Sequence, residues 1–172
     1  MAEDKKAVAI MHQFKTLVDQ RSNWESHWQQ LADFISPRKA DITKKRTSGD
    51  KRTELVFDGT AIHAAEMLAA SLHGMLTNPS TPWFSLRFKD RELDGNDEAK
   101  EWLEGVTDVM YAAINRSNFA EAVHELYSDL VVFGTGVMSI EKDEQNDLRF
   151  STRHIAECYL AEDAEGRVDT VY

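Results

Sequence analysis

The segment Ser117–Ile140, SNFAEAVHELYSDLVVFGTGVMSI, constrains the fold more than any other part of this chain. Phe119, Val123, Leu126, Leu130 and Phe133 recur at steps of 4, 3, 4 and 3. That spacing sets five large apolar groups on one helical face. Asn118, with Glu121 three residues on, has the pattern of a helix start. Gly134-Thr135-Gly136 ends the helix, since glycine enters the left-handed conformation that a stop requires. Val137-Met138-Ser139-Ile140 then alternates like a half-buried strand. A helix that stops on glycine and turns into a strand belongs to a mixed fold. We read Gly134 and Gly136 as a structural hinge.

The same periodicity places other elements. Ala7, Ile10, Phe14 and Leu17 share a face of a helix over residues 3–20. Ser22-Asn23-Trp24-Glu25 has the form of a capping box and predicts a second helix or a restarted turn there. Its stripe is Trp24, Trp28, Leu31 and Ile35, and Pro37 follows at a stopping point. Asp58 is placed to cap a helix over 59–76, with Ala61, Ala65, Leu68, Leu72 and Met75 on one side. Thr77 to Pro82 breaks the pattern. Trp83–Phe88 predicts a strand with Phe84, Leu86 and Phe88 on one side. Asp94-Gly95-Asn96-Asp97 turns into a helix over 97–115 whose first turn carries acids, where the macrodipole favours them. Two hairpins close the chain. One pairs Val137–Glu141 with Leu148–Arg153, and the other pairs Cys158–Ala161 with Arg167–Tyr172. Helices first and antiparallel strands after give an α+β fold. A chain of 172 residues suffices for a single domain over 1–172. Because Arg167–Tyr172 reads as a strand with no tail, we expect the N-terminal part of a longer polypeptide.

Charge is unevenly spread. The net charge is −10. Residues 36–57 carry seven Lys or Arg against three acids, whereas residues 90–172 carry seven against twenty. The first stretch contains a basic, non-periodic loop over 38–53, expected to be mobile. Its Arg38, Lys39, Lys44, Lys45, Arg46, Lys51 and Arg52 are the candidate contact to nucleic acid or to a neighbouring subunit. The acidic remainder opposes broad phosphate binding. No run reaches the roughly 20 apolar residues of a bilayer span, so no membrane partner is expected. The start of the chain has no long apolar stretch and does not read as a secretory signal. Cys158 is the sole cysteine, which excludes an internal disulfide and fits a reducing compartment.

Catalytic constellations are not found, and no cofactor or metal is expected. The histidines are scattered. Glu101, Glu104 and Asp108 share a helical face and would be the ligands of a metal-dependent hydrolase, but an acidic solvated face accounts for them. Gly134-x-Gly136 runs from helix to strand, the reverse of a dinucleotide-binding turn. No phosphate-binding loop or nucleophile elbow is present.

Taken in order, a set of motifs covers nearly the whole chain. It begins with Arg21-x-x-Trp24, Trp28 and Pro37. Phe57-Asp58-Gly59-Thr60-Ala61 then leads into Leu68-Ala69-Ala70-Ser71-Leu72-His73-Gly74-Met75-Leu76-Thr77-Asn78-Pro79. Trp83-Phe84-Ser85-Leu86, Trp102-Leu103, Ser117-Asn118-Phe119 and Asp129–Gly136 follow. Tyr159-Leu160-Ala161-Glu162-Asp163 and Gly166 close it. The ordered set resembles the portal, or head-to-tail connector, proteins of short-tailed bacteriophages. The resemblance implies a non-enzymatic virion protein made in the host bacterial cytoplasm. It implies a ring, in the family usually of twelve copies, at one capsid vertex, through which double-stranded DNA passes in packaging and ejection. The implied partners are the capsid or scaffold protein, the terminase motor, which carries the ATP hydrolysis, and the tail adaptor proteins. Family members are much longer, so this chain would represent mainly their outer wing region. The competing expectation is a scaffold or adaptor domain that holds nucleic acid through the basic loop.

Overall fold

The computed structural model describes residues 2–89 and 95–172, with side chains from Lys5 onward. Four helices, α1 (Ala2–Ile35), α2 (Thr60–Leu76), α3 (Asp97–Arg116) and α4 (Phe119–Phe133), precede four strands. The strands are β1 (Val137–Asp143), β2 (Asp147–Arg153), β3 (Leu160–Glu162) and β4 (Val168–Val171). They form two separate two-stranded sheets, β1-β2 and β3-β4. The α+β order read from the sequence holds, with the helices first and the hairpins after.

Backbone contacts divide the chain into two compact units. The first is Met1–Glu66, Asp129–Val137 and Arg153–Tyr172, and the second is Met67–Ser128 and Met138–Thr152.

In the first unit, Trp28, Ala32, Ala40, Phe133 and Ile155 form the core, with Leu31, Ile42 and Val132 packed against it. The small residues Ala32 and Ala40 let the chain after α1 fold back closely on the helix. α1 is one unbroken helix of 34 residues, which corrects the expected restart at Ser22. The Ser22 hydroxyl donates to the Asp19 carbonyl at 3.0 Å rather than capping a new turn. Arg21 pairs with Glu25 one turn on, which supports the helix through the expected break. α1 stops at Ile35, and Pro37 opens a 3-10 turn over Pro37–Lys39. Gly134 takes φ +74° and its N–H returns to the Leu130 carbonyl at 3.0 Å, the left-handed stop foreseen for α4. β3 and β4 are antiparallel, with Leu160 opposite Val171 and a bulge between Ala161 and Glu162. The Asp163 carboxylate accepts from the N–H groups of Glu165 and Arg167 and so shapes the turn, with Gly166 at φ +76°. Phe14 meets the rings of Tyr159 and Tyr172 edge-on.

The second unit buries Ala69, Thr77, Ala122, Val123, Tyr127 and Phe150. Asn96 caps α3 by accepting from the N–H groups of Glu98 and Ala99. Of the expected turn before it, Asp94 lies outside the described residues. The Trp83–Phe88 segment is not a strand. It does alternate, with Phe84, Leu86 and Phe88 half-buried and their neighbours exposed. Its ladder partner is a side chain: the Tyr111 hydroxyl takes the N–H groups of Trp83 and Phe84, both at 2.6 Å, and donates to the Phe84 carbonyl at 2.8 Å. A period of two reports an extended backbone with one face inward, and here that face lies on α3. Asn118 stands immediately before α4, at the expected helix start, but its side chain does not cap the helix. Its side chain exchanges two hydrogen bonds with the backbone of Phe150, at 2.7 and 2.8 Å. Ser117 accepts from the Phe119 N–H in its place.

Candidate functional site

The basic loop after α1 is built on two buried polar residues of that helix, Gln29 and Asp33. The Gln29 carbonyl oxygen accepts from the N–H groups of Ile42, Thr43 and Lys44, at 3.1, 2.8 and 3.2 Å. Its amide nitrogen donates to the Ala40 carbonyl at 2.6 Å and to Asp33 at 3.0 Å. One glutamine thus satisfies a whole turn of loop backbone that would otherwise be left without partners. Asp33 then receives Lys44 at 2.7 Å and Arg46 at 3.1 Å. Burial alone would raise the Asp33 carboxyl, but the hydrogen bonds from Lys44 and Arg46 outweigh it and hold it below the ordinary 3.8.

Of the seven basic residues singled out in the sequence, four are paired inside the chain. Lys39 reaches the buried Asp129 at 2.6 Å. Lys44 and Arg46 hold Asp33, and Arg52 holds Asp41 at 2.6 Å while donating to the Arg38 carbonyl. The side chains of Arg38, Lys45 and Lys51 are exposed and form no ion pair among the described residues. The loop is therefore a folded support that leaves three cations facing outward.

Arg21 organises the other end of the first unit. Its guanidinium donates to the carbonyls of Ile155 (3.1 Å), Ala156 (2.9 Å) and Cys158 (2.6 Å), and its Nε to Glu25 (2.9 Å). It lies 3.8 Å from the centre of the Tyr159 ring, in cation–π contact. A planar fork with five donors suits this cluster of carbonyls at the 3-10 turn Ile155–Glu157. His154 ties the same turn to the loop. Its Nδ1 accepts from the Ala156 N–H, which leaves the proton on Nε2 to meet the Lys39 carbonyl at 3.1 Å. Neither link is visible in sequence periodicity, because each joins residues more than 100 positions apart.

Arg21, Trp28, Pro37, Gly134 and Tyr159 are all members of the ordered motif set, and the structure gives each a place in one unit. A family model described as bacteriophage head to tail connecting protein matches residues 7–172. The chain belongs to that family. It is 34% identical over 171 residues to a protein named portal protein from Salmonella phage epsilon15, covering 99% of this chain. It is 32% identical over 173 residues to a probable portal protein from Bordetella phage BPP-1, covering all of this chain. In both cases it spans 31% of the relative's length.

For this connector-family chain, the remaining clusters are open surfaces rather than enclosed sites. A groove of about 340 Å³ in the first unit is lined by Arg21, Trp24, Trp28, Phe133, Ile155 and Cys158. The Cys158 thiol there is pushed up by burial and then by Glu157, which keeps it protonated and unreactive. In the second unit, a groove of about 570 Å³ runs between Leu86–Phe88 and α3, with Glu104 and Asp108 on its wall. His73 and His124 lie with ring centres 5.6 Å apart and planes tilted by 39°, and the His73 Nε2 is buried with no hydrogen-bond partner among the described residues. Sequence reasoning did not pair these two histidines, because they lie on different helices. Among the described residues no group of three or more His, Cys, Asp or Glu is placed to hold a metal ion. Glu101, Glu104 and Asp108 lie along an exposed side of α3. No helix among the described residues is long and apolar enough to cross a membrane.

Proposed function

We propose that this chain is a structural part of the portal at one vertex of a phage capsid. In that reading copies of the longer protein form a ring, of twelve in the family's usual form. Double-stranded DNA passes through it during packaging and ejection. The terminase motor and later the tail adaptors dock on it, beside the capsid or scaffold protein. Both compact units are then parts of one wing-like region, with Gly134 and Gly136 as the hinge between its helical part and the first hairpin. The protein acts by shape and carries out no catalysis. The observation that carries the reading is the match of the connector family over residues 7–172, with two portal relatives aligned along essentially the whole chain. The exposed Met67, Leu68, Met75 and Leu76 of α2 support it, since apolar surface of this kind is normally covered in an assembly. Electron microscopy of the full-length gene product tests the proposal. Closed rings with an axial channel are expected, and a dispersed monomer at micromolar concentration would refute it.

A second reading rests on the outward cations Arg38, Lys45 and Lys51: a scaffold or adaptor domain that holds nucleic acid through the loop. It requires duplex binding that weakens steeply with salt and disappears when Lys45 and Lys51 become Ser. An absence of binding at low salt would exclude it.

A further inference from the structure

We infer that the exposed face of α3 in one copy is the docking surface for the basic loop of the next copy. The inference rests on the assembly reading above and names the surfaces that would carry it.

The α3 face has two strips. Glu101, Glu104 and Asp108 form an exposed acidic strip, with Glu98 beside it, and none of the four has an ion pair among the described residues. Alongside stand Trp102 and Val109, 62% and 68% exposed. Gly105 and Ala112 fall between the strips by helical spacing, which leaves a shallow floor for another chain. Trp102 stacks on Phe88 with ring centres 6.3 Å apart yet stays largely exposed, so with Val109 and the unneutralised acids it leaves a face of α3 open to another chain.

The loop of the first unit is its complement. Arg38, Lys45 and Lys51 point outward and are unpaired among the described residues, while the other four basic residues are consumed in holding the loop. Phe57, at the end of the same stretch, is 88% exposed. The α3 face thus presents an acidic strip beside Trp102, and the loop presents three cations unpaired among the described residues on the same stretch as the exposed Phe57, whose neighbours Glu54 and Asp58 are acidic. The loop and α3 are different patches, so the contact is head-to-tail. A head-to-tail contact propagates from copy to copy and closes into a ring if its rotation allows. Individual exposed ion pairs contribute little, so Phe57 and Trp102 supply the hold, and the charges set partner choice, register and association rate.

The test is charge reversal with rescue. Two variants of this chain are made, a loop-reversed K45E/K51E and a face-reversed E101K/E104K. All four side chains are exposed, so unchanged circular dichroism is expected for both. Sedimentation velocity over a concentration series at low salt should show wild-type association that weakens as salt rises. Each variant alone should associate at least tenfold more weakly. Their equimolar mixture should recover association, because each chain then offers one surface that the other can take. The quadruple variant should also associate by itself. Undiminished association of either variant would overturn this interface and leave the assembly reading standing. A wild-type chain that stays monomeric throughout would overturn the interface, while rings of the full-length product would still decide the assembly reading. Loss of duplex DNA binding in K45E/K51E, with self-association intact, would assign the loop to nucleic acid and overturn the inference.

Discussion

Replacing Arg21 with Ala isolates the largest long-range polar link in the first unit. The arginine side chain is 10% exposed and donates to three main-chain carbonyls of residues 155–158. Charge-assisted bonds contribute about 1.5 kcal/mol each, which gives about 4.5 kcal/mol for three. The groove beside Arg21 is open, so water can reach part of the freed carbonyl surface. We therefore expect a loss of about 3 kcal/mol, a large fraction of the roughly 5–15 kcal/mol that holds a typical domain. Arg21→Lys keeps the charge but not the fork, and should recover about half. Urea unfolding followed by tryptophan fluorescence measures both, since Trp24 and Trp28 line the same groove. Hydrogen exchange adds the location: amides of Cys158–Tyr172 should lose protection while Phe150, held by Asn118, keeps it. Faster reaction of Cys158 with a thiol reagent should accompany the loss. A change below about 1 kcal/mol for Arg21→Ala, or equal losses for Ala and Lys, would refute the fork argument.

Gln29→Leu should cost about 2–3 kcal/mol and selectively expose the amides of Ile42, Thr43 and Lys44 to exchange, because those donors lose their shared acceptor. Asp33 is held below its ordinary 3.8, so its contribution is present above that value and is lost as pH falls through the lower folded value. An acid titration followed by exchange at Lys44 should show the loop loosening only below pH 3.8, and Asp33→Asn should abolish that step. Burial, then the neighbouring His124, pushes His73 below 6.5, so protons favour the unfolded chain. Stability of the second unit should fall as pH drops below 6.5, and His73→Gln should flatten that dependence in thermal melts. Gly134→Ala meets no steric neighbour but must hold φ +74°, and should cost about 1–2 kcal/mol of stability by denaturant unfolding.

The helices, both hairpins and the α4 stop were legible because each is fixed by residues within a few positions. Phe119 to Phe133 announces its face by spacing alone, and Gly134 announces the stop by its freedom at positive φ. Asp58 and Asn96 were readable as helix starts for the same local reason. Ser22 carried an equally good local signal that the unbroken α1 overrode, whereas Asn118 marked the start of α4 correctly while its side chain went to a distant partner. Helical hydrogen bonding continues through Ser22, and Phe150 claims the Asn118 amide from 32 residues away. The Trp83–Phe88 alternation gave the direction of its side chains but not the identity of their partner. The basic loop shows the sharpest limit. Composition marked seven cations, yet which of them face outward is decided by the buried Gln29 and Asp33, two letters within a helix, together with Asp129 and Asp41.

The pairing of Asn118 with Phe150 bears on which sheet edges of this chain a second chain could take. β1 and β2 make a sheet of two strands, and the outer rim of β2 would ordinarily invite a strand from another molecule. The Asn118 amide occupies both backbone groups of Phe150 at the middle of that rim. Thr152, two residues on, donates its hydroxyl to the Ala122 carbonyl at 2.6 Å and is likewise held against α4. At Phe150 that rim is therefore capped by a side chain, so an incoming strand would meet its central backbone groups already taken.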